Sequence, residues 1–215
     1  MSDAQPETVP NLQAFVAAVR DRALDRARKL LAGDPRLALA RYEGATALHF
    51  AAMTDDRPMA ELLLDTGADL NARDDAYQMT PIGWANEEGH EEMVRALYRR
   101  GAEVDLHQAA AYGLGDLVKT LVKQSRRPVN AVVGGWTPLQ LATLWGHPDV
   151  VELLLSRGAD PLVRDPFGRT TLEIARAQIE SNAAGARLVH AQRRAGIVAA
   201  CVQIAELLQQ RGVRV

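Results

Sequence analysis

Four of the five histidines, one cysteine and one pair of adjacent glutamates are the residues of this chain best suited to chemistry. His49, His90, His107 and His147 carry imidazoles that bind metals and exchange protons near neutral pH. Glu87 and Glu88 are carboxylates beside one another, and Cys201 is the sole thiol. Their spacing fits no catalytic arrangement. There is no H-E-x-x-H, no phosphate-binding loop, no G-x-S-x-G and no spaced Cys/His cluster. "GLGD" at Gly113–Asp116 is half of a dinucleotide fingerprint, but it follows a helical pattern rather than a strand and lacks the third glycine. No catalytic residue, metal ligand or cofactor is assigned. Cys201 shares helical spacing with Ile197, Ile204 and Leu208, the pattern of a packed, inert thiol.

The elements that position these residues follow from an internal repeat. Thr46–Gly67, Thr80–Gly101 and Thr137–Gly158 align without gaps over 22 residues, and Thr170 follows Thr137 by 33. Each segment opens on a threonine suited to cap a helix, with proline at Pro81 and Pro138 in the first helical position. Alanines such as Ala51, Ala52, Ala85, Ala109, Ala110 and Ala142 keep the first helix narrow where it meets a neighbour. Leu62–Leu64 and Glu152–Leu155 give the second helix its apolar stripe. Gly67, Gly101 and Gly158 then fall where a left-handed residue ends a helix.

This pattern resembles the ankyrin repeat, with its period of about 33 residues and its T-P-L-H-x-A signature. Thr46, Leu48, His49 and Ala51 match it, as do Thr80, Pro81 and Ala85, and Thr137, Pro138, Leu139 and Ala142. The tails "GADLNARD" and "GADPLVRD" match the family's hairpin entry. The resemblance implies an all-α solenoid of stacked helix–loop–helix units with short β-hairpin fingers. It also implies that His49 and His107, at the T-x-L-H position, bond backbone between hairpins, while His90 and His147 serve the turn between helices. After a flexible leader over 1–11, one domain over 12–212 divides into six units. These are an amino-terminal cap at 12–40, then 41–73, 74–103, a finger-less 104–130, 131–164 and an extended cap at 165–212. The second helix of the last unit is placed at Ile197–Gln210.

Twenty-five basic and twenty-seven acidic residues give a net charge of −2, which disfavours nucleic acid as a partner unless a local patch supplies the field. The one such patch, Arg187, His190, Arg193 and Arg194, reads as a solvated helical extension. A lone cysteine fits a reducing compartment, and no signal peptide or membrane-length apolar run is present. A cytoplasmic protein with no membrane partner is expected.

In this family, binding resides at finger tips and on the free side of first helices. Those positions here are Tyr42, Glu43, Ala45, Met53 and Thr54, then Tyr77, Met79, Glu87 and Glu88. Further along come Ala111, Tyr112, Trp136, Leu144, Trp145, Phe167, Arg169 and Gln178. Of the ten aromatics in the chain, six fall in this set, and clustered aromatics favour a binding surface. The expected function is a non-catalytic scaffold that holds a protein or peptide on a concave aromatic face, with Glu87 and Glu88 selecting a basic side chain. The alternative is a small-molecule or unconventional enzymatic site in the groove of the fourth unit, near Glu87, Glu88, His107, Tyr112 and Trp145. There His107 follows Gly101 by only six residues, too few for a finger. Val104 takes the threonine's place, Asp105 is left to cap the helix, and a notch is expected between the fingers carrying Tyr77 and Trp136.

Overall fold

The computed structural model describes residues 11–124, 128–184 and 191–213. The expected leader falls outside them except for Asn11, as do Arg187, His190 and the side chains of Arg193 and Arg194. The chain divides into two compact units at Glu103/Val104, the place where the sequence lacks a finger.

Among its described residues the first unit holds six α-helices in three consecutive pairs: α1 (Leu12–Arg20) with α2 (Leu24–Gly33), α3 (Ala47–Met53) with α4 (Arg57–Asp65), and α5 (Pro81–Glu88) with α6 (Glu91–Arg99). The first helices of the pairs pack in order, α1 on α3 and α3 on α5. Alanines make this approach close: Ala51, Ala52 and Ala85 are fully buried. The larger core side chains, Phe15, Leu37, Leu48, Met59, Leu63, Ile82, Met93 and Leu97, fill the space between helix layers. Each contributes about 1.5–3 kcal/mol by leaving water.

The second unit repeats the scheme with α7 (Leu106–Ala111) and α8 (Gly115–Gln124), α9 (Pro138–Trp145) and α10 (Pro148–Ser156), and α11 (Thr171–Ala184) and α12 (Ala191–Gln210). Its core includes Leu139, Leu154, Leu172 and Ile174. The surplus residues of the last repeat lengthen its helices: α11 runs past the expected Gln178 to Ala184, and α12 begins six residues before Ile197. Both pack on α9, and α12 also on α10.

Helix ends follow local chemistry. Thr137 and Gln140 form a reciprocal capping box, Thr137 N–H to Gln140 Oε1 at 2.9 Å and Gln140 N–H to Thr137 Oγ1 at 3.2 Å. Asp105 and Gln108 do the same for α7, at 3.0 and 2.8 Å. Asp105 thus caps the helix as its position implied. Gly67, Gly101 and Gly158 adopt φ of 98°, 98° and 85°, the left-handed stop expected of them.

The fingers are less regular than hairpins. Among the described residues only β1 (Arg41–Tyr42) and β2 (Ala45–Thr46) form a strand pair, turning through Glu43 and Gly44 with φ of 50° and 80°. Val133 and Trp136 make a single bridge. The remaining two fingers, Asp74–Met79 and Asp165–Arg169, are loops organised by a buried aspartate.

Candidate partner-binding face

In the first unit the finger after α4 is built on Asp74. Its Oδ1 accepts the Tyr77 N–H at 2.6 Å, and its Oδ2 accepts the Met79 N–H at 3.0 Å and the Trp84 indole N–H at 2.9 Å. The Asp74 N–H closes the loop onto the Met79 carbonyl at 2.8 Å. Burial alone would raise the Asp74 pKa. The donors from Tyr77, Trp84, Met79 and Ala76 together outweigh it and hold the carboxyl below its usual range. The result is a rigid finger that carries Tyr77 at its tip, 78% exposed.

Trp84 stands on α5 and meets α3 edge-on, its ring 5.1 Å from that of His49 and 5.9 Å from that of Phe50. Beside it lies an open cavity of about 430 Å³ lined by Met53, Tyr77, Met79, Trp84, Glu87 and Glu88. Five of these six are sequence-predicted site residues, drawn from the end of α3, the finger and the end of α5. Trp84 was missed because in the repeat it occupies an interior position of the first helix, where packing is the default reading. Asp74 was missed because it read only as hairpin entry. Tyr42, on the preceding finger, is half-buried under the Arg20 guanidinium, 5.2 Å from its ring centre. Arg20 also pairs with Glu43 at 2.9 Å.

In the second unit Trp136 and Phe167 meet at a ring distance of 6.4 Å, and the Arg169 guanidinium lies 5.0 Å from the Phe167 ring centre. Asp165 plays the part of Asp74, accepting the Phe167 and Arg169 N–H groups at 2.9 and 2.8 Å and the Arg169 side chain at 2.8 Å. Burial opposes its ionisation, but the Arg169 and Phe167 bonds prevail and lower its pKa. Phe167 remains 75% exposed. Tyr112, Leu144 and Trp145, at the carboxy-terminal ends of α7 and α9, are half-buried. Thr54 and Gln178 are tied to the backbone: the Thr54 hydroxyl bonds Phe50 O at 3.0 Å, and the Gln178 amide bonds Leu144 O at 3.1 Å.

Two positions expected on the free surface are not there. Ala45 lies on β2 and Ala111 at the end of α7, and both are buried, at 2% and 7% exposure. The Ala111 carbonyl accepts the His147 Nε2–H at 3.0 Å, so this end of α7 faces its neighbour.

The four histidines are architectural. His147 reaches Ala111, and His90 makes the same bond to the Met53 carbonyl at 3.0 Å. His49 Nε2 donates to Met79 O at 3.1 Å, while its Nδ1 accepts the Thr46 N–H at 3.2 Å. His107 Nε2 bonds Ala131 O at 2.9 Å. His107 nevertheless does not occupy the place of His49. With Asp105 as the cap, Gln108 stands three residues on and takes that place, because the shortened connection shifts the repeat frame by one. Cys201 is fully buried with Ile204 and Leu208, its Sγ 3.6 Å from Thr143 O, and burial pushes its pKa up to about 11. Among the described residues no three histidine, cysteine or acidic side chains are grouped to hold a metal, and no helix is long and apolar enough to cross a membrane.

The model of the family described as ankyrin repeats (3 copies) matches residues 15–106 and 105–165. A "probable E3 ubiquitin-protein ligase" of Oryza sativa subsp. japonica is 31% identical over 204 residues, covering 75% of this chain and 41% of the rice protein. The B-cell lymphoma 3 protein homolog of Mus musculus is 33% identical over 143 residues, 62% of this chain and 32% of the mouse protein. The chain thus spans well under half the length of these two relatives. The "putative ankyrin repeat protein YahD" of Escherichia coli (strain K12) is 27% identical over 185 residues, with 79% of this chain and 92% of YahD covered. With the repeat signature, the paired helices and the family match all in register, the chain belongs to the ankyrin repeat family, whose repeats are generally protein–protein interaction modules.

Proposed function

We propose that this chain is a non-catalytic scaffold that binds a protein or peptide through its finger tips and the free ends of its first helices. The observation that carries this reading is the open cavity of about 430 Å³ in the first unit, five of whose six lining residues were singled out by their place in the repeat. Tyr77 and Phe167 stand out from the finger tips at 78% and 75% exposure, an arrangement that costs a folded protein apolar hydration and is repaid by a partner. The buried free thiol of Cys201 is compatible with a cytoplasmic setting.

The test is affinity capture from the native cell with the wild-type chain and with Tyr77→Ala/Phe167→Ala. Both side chains are largely in solvent, so the urea midpoint should stay put while recovery of bound partner falls about tenfold or more. Equal recovery by the two proteins would remove the reading.

A further inference from the structure

We infer that the edge of the second unit where α8 lies against α10 is a docking surface for a short acidic segment of a partner protein, held by Lys119, Lys123 and Arg157. This surface is built on second helices rather than on the finger tips and first helices of the scaffold reading, and it stands independently of that reading. The two units differ in charge. The sequence up to Glu103 carries twelve basic and eighteen acidic residues, whereas Val104–Val215 carries thirteen and nine. An acidic partner is therefore drawn to the second unit, although the whole chain has a net charge of −2.

The repeat shows where such a partner sits. Asp56, His90, Leu114 and His147 each donate their N–H to the carbonyl five residues back, of Ala51, Ala85, Ala109 and Ala142, at 2.9–3.0 Å. They therefore mark the same position at the start of α4, α6, α8 and α10. Neighbouring pairs also meet in one register: His90 Nε2 donates to Met53 O and His147 Nε2 to Ala111 O, both at 3.0 Å. Counted from these positions, Arg157 is the equivalent of Arg100, Lys119 of Glu61 and Lys123 of Asp65.

In the first unit this arrangement is a closed ion cluster. Arg100 reaches back from the end of α6 to Glu61 and Asp65 on α4, the Asp65 contact measuring 2.9 Å. In the second unit ammonium groups stand in place of both carboxylates, and the shared register sets Arg157 against Lys119 and Lys123. Lys119 pairs with Asp116 on its own helix at 3.0 Å, and among the described residues neither Lys123 nor Arg157 forms an ion pair. All three cations are exposed. The helix dipole accounts for a cation at the end of α8 or α10, but not for Lys119 one turn earlier. Like charges gathered on adjoining helices repel one another, and an anion relieves that repulsion.

The first unit also displays the chemistry that satisfies such an arginine: two carboxylates close together. A nucleic acid or an anionic membrane matches less well, because its extended negative charge would also meet Asp116, Asp149 and Glu152, exposed on the same two helices. A short acidic segment engages the cations alone.

The experiment titrates the full chain with fluorescein-labelled Gly-Ser-Glu-Asp-Glu-Asp-Gly-Ser-NH2 and with its Gln/Asn counterpart, read by anisotropy at low salt. The acidic peptide should bind about tenfold tighter than the neutral one, and the advantage should vanish at about 1 M salt. Lys119→Glu/Lys123→Asp rebuilds the first unit's cluster beneath Arg157; it should abolish the preference while leaving the urea midpoint equal or higher. Equal binding of the two peptides by the wild type, or an undiminished preference in the double variant, would overturn the assignment. So would a single-stranded oligonucleotide or a phosphatidylserine vesicle that binds more tightly than the acidic peptide and is lost in the double variant. The capture experiment with Tyr77→Ala/Phe167→Ala tests the scaffold reading separately.

Discussion

The indole N–H of Trp84 donates to Oδ2 of Asp74 at 2.9 Å, joining a side chain on the first helix of one repeat to the aspartate at the base of the finger that precedes it. Through this bond the finger bearing Tyr77 and the helix bearing Glu87 and Glu88 form one piece. Met79 strengthens the link from the other side: its N–H is held by Asp74 and its carbonyl by both the Asp74 N–H and His49.

Asp74→Asn is expected to destabilise the chain by about 1–3 kcal/mol, because the amide has one acceptor where the carboxylate had two, and its NH2 would face the N–H groups of Met79 and Trp84. Urea unfolding measures the loss. The Trp84 indole proton should also shift upfield in the folded protein as its charged acceptor disappears. A variant as stable as the wild type, with an unmoved indole signal, would show that the finger does not depend on this aspartate.

Acid should weaken the first unit in two stages, the earlier one traceable to His49. Its pKa is depressed below 6.5, chiefly by burial, although Met79 O and Asp74 favour the charged form. Below 6.5 the unfolded chain takes up a proton that the folded imidazole resists, so stability present above that pH is lost as pH falls toward the depressed value. Burial is the main obstacle, and protonation would also cost the bond that Nδ1 accepts from the Thr46 N–H. Asp74, lowered from 3.8, is stabilising above that value, and its contribution is lost as pH falls through its folded pKa; Asp165 acts in the same way on the second unit.

Gln140 supplies the control. It performs both tasks of His49 without titrating, accepting the Thr137 N–H at 2.9 Å and donating to Val163 O at 2.9 Å. His49→Gln should therefore match the wild-type urea midpoint within about 1 kcal/mol at pH 8 and remove the earlier acid step. Persistence of that step in the variant would assign it to another group.

Cys201 should be nearly inert in the folded protein. With its pKa pushed up from 9.0 to about 11, the thiolate fraction at pH 8 falls about 100-fold, and full burial adds a steric barrier. Labelling with a disulfide reagent should be slow in buffer and complete within seconds in denaturing urea. Rapid labelling of the native chain would mean that α12 opens readily from α9 and α10.

The repeat itself was legible because each of its constraints is local. A threonine or aspartate before a helix, an alanine where two helices approach, and a glycine at a left-handed stop are dictated by the nearest few residues. Thr137, Ala142 and Gly158 therefore declare their roles in the sequence. The same locality let Asp105 be read as the cap of the finger-less unit. Its consequence, that Gln108 rather than His107 then holds the place of His49, depends on where the helix starts and is settled only by the folded backbone.

The site was half legible for the same reason. Repeat position identified Met53, Tyr77, Met79, Glu87 and Glu88 as outward-facing, but no local rule says that the aspartate opening a repeat will hold a tryptophan ten residues later. Nor does one say that Ala111 will turn its carbonyl to His147, 36 residues on. The sequence by itself determined the class of structure and the period on which binding residues recur, since both follow from short-range backbone preferences. Only the tertiary structure decided which of those residues converge, because the cavity at Trp84 exists where α3, α5 and a finger meet and in none of them alone.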